Sequence, residues 1–96
     1  MRTFESVDAL VAAKGEELGS SDWVTISQDE VNMFADATGD HQWIHIDPEK
    51  AAKGPFGTTI VHGFMTLSLL PRLMHQIFTV DGVDQYRYVL RFGFFF

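Results

Sequence analysis

The sequence predicts a single α+β domain built around one long helix. Residues 58–78 form a largely apolar segment, and the first half of it has hydrophobic side chains on every side of the helical period, so other structure must wrap it. Residues 23–26 are aromatic and β-branched, and residues 85–96 partly alternate between two faces, so both are predicted strands. A chain of 96 residues is long enough for one hydrophobic core.

The number of predicted strands is small for this helix. A stable sheet needs three or more strands, and two cannot enclose a helix of about 21 residues. The chain also finishes on an apolar stretch, residues 93–96, where termini are usually polar. We therefore expect the chain to be an N-terminal portion of a longer fold, or to depend on another chain that completes it.

Composition narrows the classes of function. The chain has 13 acidic and 7 basic residues, a formal charge of -6, and no cluster of basic residues, so we expect neither a nucleic acid nor a membrane as partner. It has no cysteine, which excludes disulfides and thiolate metal sites. The N-terminus carries two acids among its first eight residues and has no long apolar run. We therefore expect no signal peptide and a cytoplasmic location.

The first part of the chain is predicted to hold two capped helices. Ser6 can cap a short surface helix that stops near Gly15. Ser27 and Glu30 have the spacing of a capping box, which predicts the start of a second helix, and Gly39 is its expected end.

Residues 40–46 show no clear period and are predicted to form an irregular loop. Asp47 is the expected N-cap of a short helix with Pro48 at its first position. A loop held between two helix ends can keep its side chains in fixed positions. The long helix follows over residues 58–78, with its free N–H groups near residues 62–64 and a kink at Pro71.

Asp40 and His45 are the first candidates for chemistry, because a carboxylate and an imidazole that face one water can act together as general acid and base. The alternative is structural: Asp40 caps a turn and His45 makes a hydrogen bond. A metal site would combine His41 and His45 with Asp36, Asp40 or Asp47. We expect no metal, because the sequence lacks the HExxH pattern and the segment is predicted to be a loop.

His62 and Gly63 stand at the predicted start of the long helix. A glycine lets a ligand approach the backbone, and helix N–H groups suit a carbonyl oxygen that becomes negative. The alternative is a glycine that is required only for tight packing. Thr66 and Ser68 follow in the buried half, where such hydroxyls more often bond back to their own helix.

The segment FADATGDHQWIHIDPEKAAKGPFGTTIVHGFMTLSLLP resembles the MaoC-like dehydratases, also called R-specific enoyl-CoA hydratases. The resemblance covers residues 22–78 and rests on the order F-A-x-x-[TS]-G-D-x(4)-H-x-D-P followed by I-V-H-G-F. It implies a hot-dog fold, in which a curved antiparallel sheet wraps one long helix. It also implies a dimer, or two fused repeats, with the active site near the subunit interface.

The resemblance also implies roles for individual residues. Asp40 and His45 match the catalytic pair, which holds the water that is added to a trans-2-enoyl thioester to give the (R)-3-hydroxyacyl product, or is removed in the reverse reaction. Gly63 matches the glycine whose N–H binds the thioester carbonyl. The expected substrate-binding residues, in the oxyanion contact and the pocket, are Gly63, His62, Gln42 and Ser68. The substrate carries CoA or an acyl-carrier pantetheine, and no further cofactor is expected.

The sequence departs from the family pattern in two ways. Many members have Asn and Pro where Gln42 and Trp43 stand here. The family domain is usually about half as long again, with several strands after the position of Phe92, so residues 1–96 are expected to form one partial hot-dog domain whose late strands are missing. Two other functions remain open: a hot-dog acyl thioesterase, and a non-catalytic fragment that completes another hot-dog subunit.

Overall fold

The structure is a computed structural model that describes residues 1–83. Residues 1–20 and 77–83 belong to one compact unit, unit 1, and residues 21–76 form a second, unit 2. The described helices and strands are, in chain order, β1 (Arg2–Phe4), α1 (Val7–Ala12), α2 (Gln28–Thr38), α3 (Trp43–Ile46), α4 (Pro48–Ala52), α5 (Gly63–Ser68), α6 (Leu70–Met74) and β2 (Phe78–Val80). This mixture of helices and strands agrees with the predicted α+β class. The predicted strand 85–96 lies outside the described residues.

Unit 1 contains β1, β2 and α1. The two strands pair in parallel, with Phe4 opposite Val80, whereas the resemblance implies an antiparallel sheet. Phe4, Phe78 and Val80 are buried, and the rings of Phe4 and Phe78 meet edge to face at 6.0 Å. The sequence pattern predicted neither strand, because three residues are too few for a period-two alternation to be recognised. The predicted cap of α1 is confirmed, since Ser6 accepts a hydrogen bond from the N–H of Ala9 at 3.1 Å.

Helix α2 opens unit 2 and confirms the predicted capping box. The N–H of Glu30 donates to the Ser27 hydroxyl at 3.2 Å, and the N–H of Ser27 donates to the Glu30 carboxylate at 3.1 Å. These hydrogen bonds, first that of the Ser27 backbone, lower the pKa of Glu30. Gly39 ends the helix with a φ of 82°, a left-handed conformation that glycine adopts without strain.

The segment that follows α2 is more regular than predicted. Its second half, Trp43–Ile46, is one turn of helix, α3, closed by a hydrogen bond from the N–H of Asp47 to the carbonyl of Trp43. Four residues are too short for a helical period to be visible in the sequence. The predicted N-cap is confirmed, because the Asp47 carboxylate accepts from the N–H of Lys50 at 3.1 Å.

The long helix predicted over residues 58–78 is wrong in its bounds. Helix begins only at Gly63 and consists of two short pieces, α5 and α6. Thr58, Thr59 and Ile60 are β-branched, and the N–H of Ile60 donates to the carbonyl of Ile44 at 3.0 Å instead of joining a helix. The expected interruption at Pro71 is found at the junction of the two pieces, because proline has no N–H to donate.

The described residues of unit 2 leave much of this helical segment uncovered. Met65 is buried, but Phe64, Leu67 and Leu70 are 73%, 41% and 48% exposed. The strand predicted over residues 23–26 is also wrong, because the structure gives no strand in unit 2. A strand needs a neighbour to bond to, and β-forming composition alone does not supply one. Among the described residues, no helix has the length and apolar character needed to cross a membrane.

Candidate active site

The structure brings Asp40, His45 and His62 together in unit 2. One carboxylate oxygen of Asp40 and one ring nitrogen of each histidine all lie within 4.8 Å of one another. The two histidines are 7% and 2% exposed, while Asp40 is open to solvent. We call these three residues the Asp-His-His cluster. It combines a solvent-facing carboxylate with two imidazoles that are shielded from water.

Asp40 is placed by the end of α2 and the start of α3. It follows the left-handed turn at Gly39, and its N–H lies 3.4 Å from the hydroxyl of Thr38. Its Oδ1 accepts from the N–H of Gln42 at 3.3 Å, so the predicted turn contact exists. This contact leaves accepting capacity on the carboxylate, because two oxygens offer about four lone-pair positions. The structural and the catalytic interpretations of Asp40 are therefore compatible.

His45 lies on α3 with its ring fixed at one edge. Its Nδ1 is 2.8 Å from the carbonyl oxygen of Ile60. A carbonyl oxygen can only accept, so Nδ1 carries the ring proton, and Nε2 of the neutral ring holds a lone pair. The predicted structural hydrogen bond is thus present at one nitrogen. It also leaves the other nitrogen able to take up a proton.

Gln28 supports His45 from the first turn of α2. Its Nε2 donates to the carbonyl oxygen of His45 at 2.7 Å, and its Oε1 accepts from the hydroxyl of Thr59 at 2.7 Å. Gln28 therefore joins α2, α3 and the segment that leads into α5. Sequence reasoning missed it, because a glutamine in a first turn looks like any solvent-facing residue until the fold is known.

His62 contacts both other members of the cluster. Its Nε2 is 3.0 Å from the carbonyl oxygen of Asp40, so Nε2 carries a proton and donates it. Its ring stacks on the ring of His45, with centroids 3.9 Å apart and 23° between the planes, and its centroid lies 4.8 Å from that of Phe34. Its Nδ1 is buried and has no hydrogen-bond partner in the described part of the chain.

Gly63 begins α5 and is exposed. A Cβ built on it would have no atom within 4 Å among the described residues, and its φ is not positive. Neither packing nor backbone conformation in the described structure explains a glycine at this position. Its N–H belongs to the first turn, whose N–H groups have no acceptor inside the helix. Ser68, by contrast, donates its hydroxyl to the carbonyl of Phe64 at 2.7 Å, as expected for a serine that bonds to its own helix.

The predicted alternative of a metal site needs His41 and His45 together, but each of them contacts a different residue. His41 contacts Asp36, and His45 stacks on His62. His41 bonds Asp36 at 2.9 Å, and this hydrogen bond raises the pKa of His41 above its ordinary value. In the Asp-His-His cluster the two rings are stacked. An imidazole binds a metal through the lone pair in its ring plane, and two nearly parallel planes 3.9 Å apart do not converge on one ion. The three ligand atoms of the cluster lie close together, but the two stacked rings are poorly oriented to share one ion.

One family model and several curated proteins match this chain. A family model described as "MaoC like domain" matches residues 9–93. The chain is 77% identical over 83 residues to 3-hydroxyacyl-thioester dehydratase Z of Mycobacterium tuberculosis, covering 86% of this chain and 55% of that protein. It is 47% identical over 85 residues to Nodulation protein N of Rhizobium leguminosarum bv. viciae, covering 78% of this chain and 53% of that protein.

A third relative is the 3-hydroxybutyryl-CoA dehydratase of Methylorubrum extorquens, which is 43% identical over 49 residues, or 51% of this chain and 31% of that protein. The chain spans about half the length, or less, of these curated relatives. The family match itself covers most of the chain, including every residue of the Asp-His-His cluster. The chain therefore belongs to the MaoC-like domain family.

Proposed function

We propose that this protein is an (R)-specific enoyl-CoA hydratase or 3-hydroxyacyl-thioester dehydratase, which adds water to a trans-2-enoyl thioester or removes it. The observation that carries the proposal is the pairing of the exposed Asp40 carboxylate with a His45 ring whose Nδ1 is committed to Ile60, so that Nε2 is left as an acceptor. Membership of the MaoC-like domain family and the activities for which two relatives are named support it.

In the proposed reaction, Asp40 and His45 hold one water molecule between them. The water oxygen forms a bond to C3 of the enoyl group, and the catalytic pair takes up the proton that the water loses. The pair then delivers a proton to C2, so one molecule of water has been added and nothing is oxidised or reduced. Dehydration follows the same steps in reverse.

Gly63 is proposed to stabilise the negative charge that develops on the thioester oxygen. The N–H of a first helical turn is available for an outside acceptor, and the open space beside Gly63 lets that acceptor approach. One such donor contributes roughly 3 kcal/mol to the transition state. Gln42 and Ser68, both exposed, are proposed to contact the substrate, and His62 lies at the inner end of the site.

The fold and the assembly are part of the same proposal. We expect residues 1–96 to form one partial hot-dog domain, in which a curved sheet covers the exposed side chains of Phe64, Leu67 and Leu70. We also expect a homodimer in the cytoplasm that uses a CoA or acyl-carrier-protein thioester without a further cofactor, and that binds neither nucleic acid nor membrane. The acidic composition and the absence of a basic cluster support the exclusion of nucleic acid.

One observation favours a second candidate, a non-catalytic chain that completes another hot-dog subunit. Three large apolar side chains of α5 and α6 are exposed among the described residues, those of Phe64, Leu67 and Leu70. This candidate predicts no turnover by the isolated chain and a change in size when it is mixed with a full-length homologue.

The proposal is tested by following the loss of enoyl-thioester absorbance when purified protein is mixed with crotonyl-CoA. Asp40→Asn should reduce the rate by at least about 10²-fold, because it removes a proton-transfer group. Asp36→Asn is the matched control, since Asp36 is an exposed carboxylate of the preceding helix that contacts His41 and not the cluster. An unchanged rate in Asp40→Asn would exclude the assigned role. Release of free thiol would identify a thioesterase instead.

A further inference from the structure

We infer that His62 is a positioning residue that holds Asp40 and His45 in a fixed relation to each other. The effect of His62 on catalysis rests on the proposed function, whereas its contacts with Asp40 and His45 are seen in the fold. His62 reaches one partner through its ring edge and the other through its ring face. No other described side chain is seen to contact both members of the catalytic pair in this way.

The edge contact holds the backbone at Asp40. The hydrogen bond from His62 Nε2 to the Asp40 carbonyl is 3.0 Å long, while the two other contacts of Asp40 measure 3.3 and 3.4 Å. Asp40 lies in the irregular segment between α2 and α3 and is exposed, so little packing restrains it. The bond from the buried His62 ring is therefore its firmest restraint.

The face contact holds the ring of His45. The Ile60 carbonyl fixes the ring at Nδ1, and the stacked ring of His62 covers one face at 3.9 Å. Together they oppose rotation of the ring about its bond to Cβ, so that Nε2 keeps one direction. Ile60 and His62 are two residues apart, which means that one short segment supplies both restraints.

Stacking alone does not explain why a histidine stands at position 62. A phenylalanine would fill the same place without leaving a buried acceptor unpaired, and the unpaired Nδ1 of His62 is of the kind that folded proteins rarely keep. A short amide could donate to the Asp40 carbonyl but would not stack. Only histidine combines a donor at its edge with a flat aromatic face, which is what the two contacts use.

Two variants separate these contacts. His62→Phe keeps a ring against His45 and loses the donor to Asp40, whereas His62→Asn keeps a donor and loses the stack. His41→Gln is the control, because His41 is an exposed histidine that bonds Asp36. The full chain is used throughout, and chemical-shift dispersion shows whether each variant is folded. If one variant does not fold, the other and the wild type still decide the question.

The first measurement is the tautomer of each histidine from its ring ¹⁵N shifts, at a pH well above the ordinary histidine pKa of about 6.5. The wild type should carry the proton on Nε2 of His62 and on Nδ1 of His45. His62→Phe should keep the His45 tautomer but speed amide exchange at Gln42, whose N–H bonds the Asp40 carboxylate. His62→Asn should give a mixture of His45 tautomers. The inference would be overturned if wild-type His62 carried its proton on Nδ1. It would also be overturned if His62→Phe did not speed exchange at Gln42 and His62→Asn did not mix the His45 tautomers.

The second measurement is crotonyl-CoA hydration by the same three variants. Loss of a partner that orients a metal-binding histidine lowers activity by about 10- to 100-fold, and we expect the same range here, so kcat should fall by that factor in both His62 variants, with KM changed by less than about threefold. Wild-type kcat in both folded variants would overturn the positioning role and leave the proposed function intact. A wild-type chain without turnover but with the expected tautomers and exchange would contradict the proposed function alone.

Discussion

Replacing Gly63 by alanine separates a structural from a functional reason for this glycine. The added Cβ meets nothing within 4 Å among the described residues, and Gly63 has no positive φ to strain. Alanine is favoured over glycine inside a helix by about 0.5–1 kcal/mol, and less at a first position. The free energy of unfolding should therefore stay unchanged or rise by up to about 0.5 kcal/mol, which corresponds to a Tm increase of a few degrees at most.

The catalytic activity of Gly63→Ala should fall, although its stability should not. The methyl group would occupy the open space through which the thioester oxygen is proposed to reach the Gly63 N–H. Loss of one oxyanion donor costs about 10²- to 10³-fold, so kcat/KM for crotonyl-CoA should fall by roughly 10²-fold, while the midpoint of thermal unfolding does not fall.

Gly54→Ala is the matched control for this experiment. Its Cβ would lie 2.9 Å from Cζ3 of Trp43 and 3.3 Å from the carbonyl oxygen of Ala51, so something must move. Overpacking of this kind costs about 1–3 kcal/mol, and this variant should be clearly less stable. If Gly63→Ala lost stability as Gly54→Ala does, or kept wild-type kcat/KM, the assignment of Gly63 to the oxyanion contact would be refuted.

Three further predictions concern the supports of the site. Gln28→Ala removes the donor to the carbonyl of His45 and should lower the free energy of unfolding by about 1–3 kcal/mol in urea titrations; an unchanged midpoint would mean that this network carries no stability. Ser27→Ala breaks the capping box of α2 and should cost about 1 kcal/mol in the same titration, and Ser27→Gly only a few tenths. The hydrogen bond to Asp36 raises the pKa of His41, so its contribution to stability is complete below pH 6.5 and is lost as the pH rises through the folded-state pKa. In an NMR titration the His41 midpoint should lie above 6.5 and fall in Asp36→Asn; an equal midpoint in both proteins would contradict the pairing.

Helix ends were predictable because their signals are local. The Ser27–Glu30 capping box and the Asp47 cap each join groups three residues apart, and the structure has both. The left-handed turn at Gly39 is equally local. Strands were not predictable in the same way, because pairing depends on residues far along the chain. β1 and β2 pair across more than 70 residues, while the strand-like composition of residues 23–26 finds no partner within unit 2.

The sequence predicted the residues of the candidate site but not the contacts between them. Asp40, His45 and His62 were all selected from the sequence as candidates for chemistry, and the family pattern contains them in the same order. The contact between His62 and Asp40 spans 22 residues, and that between Gln28 and His45 spans 17. No local rule relates residues at such separations, and their proximity follows only when α2, α3 and the start of α5 are packed together.

The long helix was predicted to start at residue 58, but it starts at Gly63. The residues between these two positions are the ones that build the site. In a helix over residues 58–78, the carbonyl of Ile60 would point along the helix axis and accept from the N–H of Phe64. Because helix begins only at Gly63, Ile60 offers its N–H to the carbonyl of Ile44 and its carbonyl to Nδ1 of His45. The same non-helical stretch carries His62 to the Asp40 backbone. Residues 60–62 thus use their backbone and one side chain to hold the proposed catalytic pair, and the helix after them begins at Gly63, whose N–H we propose for the oxyanion contact.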